Sequence, residues 1–132
     1  MILVDTSVWI AYLRGDATAA ADALQGWLDR GAPIAVTSVV AQEVLQGVRD
    51  DAAAVILERY LASQWRLEFL DPWQGAVDAA NLYRRCRAAG FTVHSTVDCA
   101  IACIAMEHDA ELLHDDADYV RIATVEPRLR LV

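Results

Sequence analysis

Apolar positions along this chain fall into short blocks with two alternating periods. Met1-Ile-Leu-Val4 is a continuous apolar run that stops at Asp5, the pattern of a strand buried on both faces. Thr6 or Ser7 can cap a helix to about Arg14, closed by Gly15. Alanine-rich Ala17 to Arg30 predicts a second helix, stopped by Gly31. Pro33 to Thr37 is short, apolar and β-branched, and predicts another strand. Thr37 or Ser38 then caps a helix to about Val48, and Asp50 or Asp51 starts one to about Ser63. Trp65 to Leu70 alternates in part, as an edge strand does. Pro72 suits a first helical position, and that helix runs to about Ala89 with Gly90 as its stop. Phe91 to His94 reads as a connector, and Ser95 opens a helix to about His108. Glu111 to His114 is a third apolar strand, Leu129 to Val132 a last one. Strands alternating with helices predict a single α/β domain over residues 1–132, with a mostly parallel sheet.

Composition narrows the class. The chain has 132 residues and is 56% hydrophobic, enough apolar surface to exclude disorder. Its apolar runs are too short and too often interrupted for a membrane span of ~20 residues. Met1 to Asp5 has no basic segment ahead of its apolar stretch and does not read as a secretory leader. Cys86, Cys99 and Cys103 make an odd count without a CxxC pair, which points to a reducing cytoplasm. Nineteen acidic against eleven basic residues give a net charge of −8, so the chain repels nucleic acid at long range unless bound cations invert the local field. All eleven basic residues are arginine.

Four acidic features stand out against this background. Asp5 lies at the carboxyl end of the first strand, the edge where open α/β sheets bind ligands, although an aspartate there can simply turn the strand into a helix. Glu43 falls within an apolar helical stripe beside Val39, Val40 and Val44; a carboxylate there wants an arginine partner or a metal. Asp98 sits in the first turn of an apolar helix, where Ser95-x-x-Asp98 also matches a capping box. Asp115-Asp116-Ala117-Asp118 follows the third strand, as a solvated turn or as ligands at the same sheet edge. Taken together, carboxylates gathered at one edge repel each other unless a cation sits among them. All-oxygen ligation suits Mg²⁺ or Mn²⁺ rather than Zn²⁺. Cys99 and Cys103 read as packed thiols, and no GxGxxG, Walker or GxSxG loop is present.

Four segments in this order resemble a PIN domain of the VapC toxin type: Ile2 to Trp9, the internal Glu43, Tyr83 to Ala102 with its Val93-His-Ser-Thr-Val-Asp98 core, and Leu112 to Tyr119. The resemblance covers essentially the whole chain. It implies a three-layer α/β/α fold and a metal-dependent endoribonuclease. Asp5, Glu43, Asp98 and Asp116 would be the metal-site acids, Asp118 an accessory acid, and Thr6 and Ser95 supporting hydroxyls. Asp116 is preferred to its neighbour Asp115 because Asp116-Ala-Asp-Tyr119 matches the family's closing motif. The family also implies an RNA substrate, a homodimer and a small antitoxin partner. Arg84, Arg85, Arg87 and His94 are candidate RNA contacts; His94 stands where such toxins often carry arginine. Trp9 and Tyr83 offer either base-stacking surfaces or core packing.

Other readings fit less well. A haloacid-dehalogenase-like phosphatase wants a second acid two residues after Asp5, and Ser7 stands there. A Toprim-like reading wants a glutamate where the first strand ends in Asp5. The remaining alternative is a catalytically silent PIN-like module that only binds a protein partner.

Overall fold

The computed structural model describes residues 1–132. The strands are β1 (Ile2–Val4), β2 (Ile34–Val36), β3 (Trp65–Arg66), β4 (Glu111–Leu113) and β5 (Arg130–Leu131). The helices are α1 (Thr6–Arg14), α2 (Ala19–Asp29), α3 (Ser38–Gln46), α4 (Asp51–Ala62), α5 (Pro72–Ala88), α6 (Thr96–Glu107) and α7 (Ala117–Val125). The strands form one all-parallel sheet in the order β3-β2-β1-β4-β5.

That order places the helices. From β1 the chain moves outward to β2 and β3, then returns past β1 to build β4 and β5 on the other side. Parallel crossovers are right-handed, so reversing the direction of travel puts the connecting helices on the opposite face. Helices α1 to α4 therefore cover one face and α5 to α7 the other, giving the three-layer α/β/α architecture that the family resemblance implies. The packing agrees: α1 rests on α2 and α3, α3 on α4, while α5, α6 and α7 rest on each other. With both faces covered, the central strands are almost entirely apolar; Leu3, Val4, Ile34 to Val36, Leu112 and Leu113 are all buried in one core of 28 residues. No helix is long and apolar enough to cross a membrane.

Helix boundaries follow the capping chemistry. Asp5, Thr18, Thr37, Asp50, Asp71 and Asp116 each sit in extended backbone and accept a hydrogen bond from an amide in the following turn. The first helix is thus capped by Asp5 itself rather than by Thr6 or Ser7. Gly15 ends α1 at φ 75°, where a side chain would be strained. Helix α6 is the exception, because Ser95 makes no side-chain cap bond. The expected capping box with Asp98 does not form.

The structure adds one helix and decides one open alternative. The acidic segment after β4, which the sequence leaves as a solvated turn or as ligands, opens a helix that the pattern does not predict, α7, whose β-branched Val120, Ile122, Thr124 and Val125 hide its helical character. Trp9 is fully buried, edge-on to Tyr12 and Tyr60, so its ring belongs to the core rather than to a stacking surface.

One packing contact tests the turn into α5. A Cβ on buried Gly75 would lie 2.2 Å from the Phe69 ring, and the closest atoms are at the ring's base. Alanine normally stabilises a helix interior by ~0.5–1 kcal/mol over glycine. Here Gly75→Ala should instead destabilise by about 1–3 kcal/mol through overpacking. Urea unfolding reads the sign.

Candidate metal centre

The reversal in strand order falls between β1 and β4, and open α/β sheets bind ligands at such a point, outside the strands' carboxyl ends. In the β1–β4 register, Val4 pairs with Leu113, which sets Asp5 beside the turn that follows β4. The Asp5 amide extends the ladder to the Leu113 carbonyl at 2.9 Å. Helix α6 brings Asp98 to the same place in its first turn.

Carboxylate oxygens of Asp98, Asp116 and Asp118 all lie within 4.8 Å of one another. Asp98 and Asp118 are buried, while Asp116 is exposed at the mouth. Beneath them, the buried Tyr119 hydroxyl reaches Asp5 Oδ1 at 2.7 Å and Asp98 Oδ1 at 3.4 Å. Asp5 Oδ2 accepts from the Ser7 amide at 3.0 Å and the Ser7 hydroxyl at 2.6 Å. The same hydroxyl accepts from the Asp115 amide at 3.3 Å, tying the end of β1 to the turn after β4. Glu43 is half-buried and does not join the three-acid cluster. Its Oε1 accepts from the Thr6 hydroxyl at 2.9 Å, so it approaches through α1, one residue from Asp5.

The acids are not equivalent. Asp118 Oδ1 accepts from Arg121 at 2.7 Å. Its Oδ2 takes the His94 amide at 2.9 Å and lies 3.0 Å from the His94 ring Nδ1. Burial alone would raise the Asp118 pKa, but the His94 and Arg121 bonds outweigh it and hold the group below the usual carboxylate range. Asp118 thus fastens the turn before α6 to α7. Asp98 has no such support. Burial, then the neighbouring charges of Asp5 and Asp116, push its pKa up to about 7, against a small opposing pull from Tyr119. Asp116 caps α7 through Oδ1, which accepts from the Asp118 amide at 2.8 Å. An all-carboxylate donor set with this deficit of positive charge suits a hard divalent cation, which the cluster can hold. Cys99 and Cys103 lie in the core, where burial pushes their thiols up to about 12 and about 11, unsuited to metal binding.

Residues 2–125 match the PIN domain family. The chain belongs to that family. It is 40% identical over 129 residues to VapC ribonuclease Mb1587 of Mycobacterium bovis, covering 95% of this chain and 93% of the relative. Ribonuclease VapC11 of Mycobacterium tuberculosis matches to the same extent, and VapC19 from that organism is 34% identical over 113 residues, covering 86% of each chain. Among solved structures, VapBC2 from Rickettsia felis, bound to a DNA fragment from its promoter, aligns with a TM-score of 0.73 at 19% identity, covering 100% of this chain and 98% of that one. FitAcB from Neisseria gonorrhoeae aligns with a TM-score of 0.68 at 18% identity, covering 99% and 96%. At these identities the likeness is one of fold.

Within this PIN domain, sequence reasoning missed Ser7 and Arg121 as partners of the acids, and noted Tyr119 only as part of a motif. A serine two residues after the strand's aspartate and an arginine three after Asp118 are local signals that could have revealed the first two. Ser95 is half-buried with its hydroxyl free of any cap bond. Among the candidate RNA contacts, Arg84 and Arg87 are exposed and form no ion pair, whereas Arg85 is held by Glu126 at 3.0 Å. His94 presents an exposed side chain at the mouth.

The raised Asp98 pKa makes the metal-free protein's stability pH-dependent. An unfolded Asp98 titrates near its ordinary value of 3.8, the folded one near 7, so the native state binds the extra proton between them. The penalty is absent below the lower value, grows as pH rises and is complete above the upper one, at up to about 1.4 kcal/mol per pH unit. Urea unfolding in EDTA should show wild type losing stability from pH 4.5 to 7.5. Asp98→Asn should flatten that slope.

Proposed function

We propose that this PIN domain is a metal-dependent endoribonuclease, the toxin half of a toxin–antitoxin pair, with Mg²⁺ or Mn²⁺ as its cofactor. The reading is carried by the gathering of Asp98, Asp116 and Asp118 over Asp5 at the switch point of the sheet. The 40% identity to a VapC ribonuclease supports it.

Asp5, Asp98 and Asp116 would hold the cation, with Glu43 beside Asp5. When bound, a divalent cation neutralises phosphate charge and lowers the pKa of a water that attacks phosphorus. The chain's own groups prepare the site. Ser7 and Tyr119 hold Asp5 at both oxygens, and Thr6 holds Glu43. Asp118 fixes the His94–Ser95 turn. Arg84 and Arg87 stand free to meet RNA phosphates on the end of α5 that leads through His94 into α6; Arg85 is already engaged by Glu126.

The partners in this reading are an RNA substrate, a second copy of the chain and a small antitoxin. An apolar groove of about 570 Å³ between α1, α3 and α4, lined by Ile10, Leu13, Val44, Ile56 and Leu57, supports the antitoxin as an amphipathic segment laid across it.

The test is cleavage of structured RNA by purified protein. Activity should require Mg²⁺ or Mn²⁺ and stop in EDTA. Asp98→Asn and Asp5→Asn should each lower the rate by ~10²-fold or more, through loss of a charged ligand. Cleavage unchanged in both variants would overturn the assignment. A wild type inert on RNA with any divalent ion would favour the silent interaction module.

A further inference from the structure

Tyr119 is among the largest fully buried side chains, yet its hydroxyl meets no neutral partner. Its hydrogen-bond acceptors are Asp5 Oδ1 at 2.7 Å and Asp98 Oδ1 at 3.4 Å. Asp5 closes β1 and Asp98 opens α6, elements separated by most of the chain and lying in different layers. Tyr119 belongs to neither. It rides on α7, one turn after the Asp116 cap, so a single helix start carries both that acid and the hydroxyl that meets Asp5 and Asp98.

A hydroxyl has one proton to give. The contact lengths decide where it goes: 2.7 Å is a full O–H···O bond, and 3.4 Å is close to the limit. The hydroxyl therefore donates to Asp5, whose Oδ2 already accepts from two Ser7 donors. Asp5 is thereby pinned through both oxygens. Asp98 receives no other hydrogen bond, so it keeps its lone pairs for a cation while its Oδ1 stays beside the same hydroxyl. The phenol oxygen lies within hydrogen-bond reach of both carboxylates, so one group neighbours the pair.

We infer that Tyr119 is a positioning residue of the metal centre, whose hydroxyl fixes Asp5 beside Asp98 so that the pair is preset for a divalent cation. The inference rests on the metal-nuclease reading and adds to it a residue that touches neither RNA nor the reacting atoms. Groups that orient metal ligands typically alter affinity by ~10–100-fold when removed. A tyrosine that only filled core volume would be replaced by phenylalanine with no change in metal binding.

Tyr119→Phe keeps the ring and removes only the hydroxyl. Mn²⁺ alone is the probe, titrated into purified full-length protein and followed by calorimetry, with unfolding measured separately in EDTA. Wild type should bind Mn²⁺, and Tyr119→Phe should bind it about 10–100-fold more weakly. With the metal near saturation, RNA cleavage by Tyr119→Phe should recover toward wild type, since no reacting group is lost. In the Asp5→Asn background the same change should weaken Mn²⁺ binding by much less, because the pinned carboxylate is already gone. Equal Mn²⁺ affinity in wild type and Tyr119→Phe would overturn the inference and leave the nuclease reading intact, even if the variant were less stable in EDTA. A wild type that binds no Mn²⁺ would overturn both.

Discussion

Mutual repulsion among carboxylates is the constraint around which this domain is arranged. Asp5, Asp98, Asp116 and Asp118 come together where the sheet reverses direction, and two of them are within a few ångströms of one hydroxyl. Gathering negative charge out of water is costly, and the protein meets that cost unevenly. Asp118 is neutralised from within by Arg121 and the His94 turn, and Asp5 is supplied with donors from Ser7 and Tyr119. Asp98 is left to carry the imbalance, seen in its upward shift to about 7. A protein that needed only stability would gain by replacing it. Retaining one buried acid unsupported makes physical sense where a cation completes the set.

Much of this was readable along the chain because the signals were local. An apolar run ending in Asp5, glycine stops at 15, 31 and 90, and Pro72 at a first helical position give most of the elements and hence the α/β class. Asp98 drew notice for the same reason, an acid among Val97, Ala100, Ile101 and Ala102. The failures were contests between local rules. Ser95-x-x-Asp98 satisfies a capping pattern, yet the serine leaves the cap unmade and Asp98 faces its fellow acids. Helix α7 was hidden because four β-branched residues outweighed the cap at Asp116. The hydroxyl of Tyr119 could not be placed from sequence at all. Its partners are 114 and 21 residues away, and only the crossover topology joins them.

The fold also separates what must be rigid from what must be open. The acids hang from the ends of central strands and from first helical turns; ladder and capping bonds fix Asp5, and a capping bond fixes Asp116. The apolar groove between α1, α3 and α4 lies on the layer that contributes only Asp5 and Glu43. A segment bound there would touch the same α1 whose cap is Asp5, so occupancy of the groove and geometry of the acids share one helix.

The order of the pieces along the chain has a consequence during synthesis. Asp5 is made 114 residues before Tyr119, and β4 must pair with β1 before they meet. A growing polypeptide on the ribosome therefore holds no assembled cluster until β4 and the start of α7 have emerged. Prematurely terminated products lack the last acid and its tyrosine together.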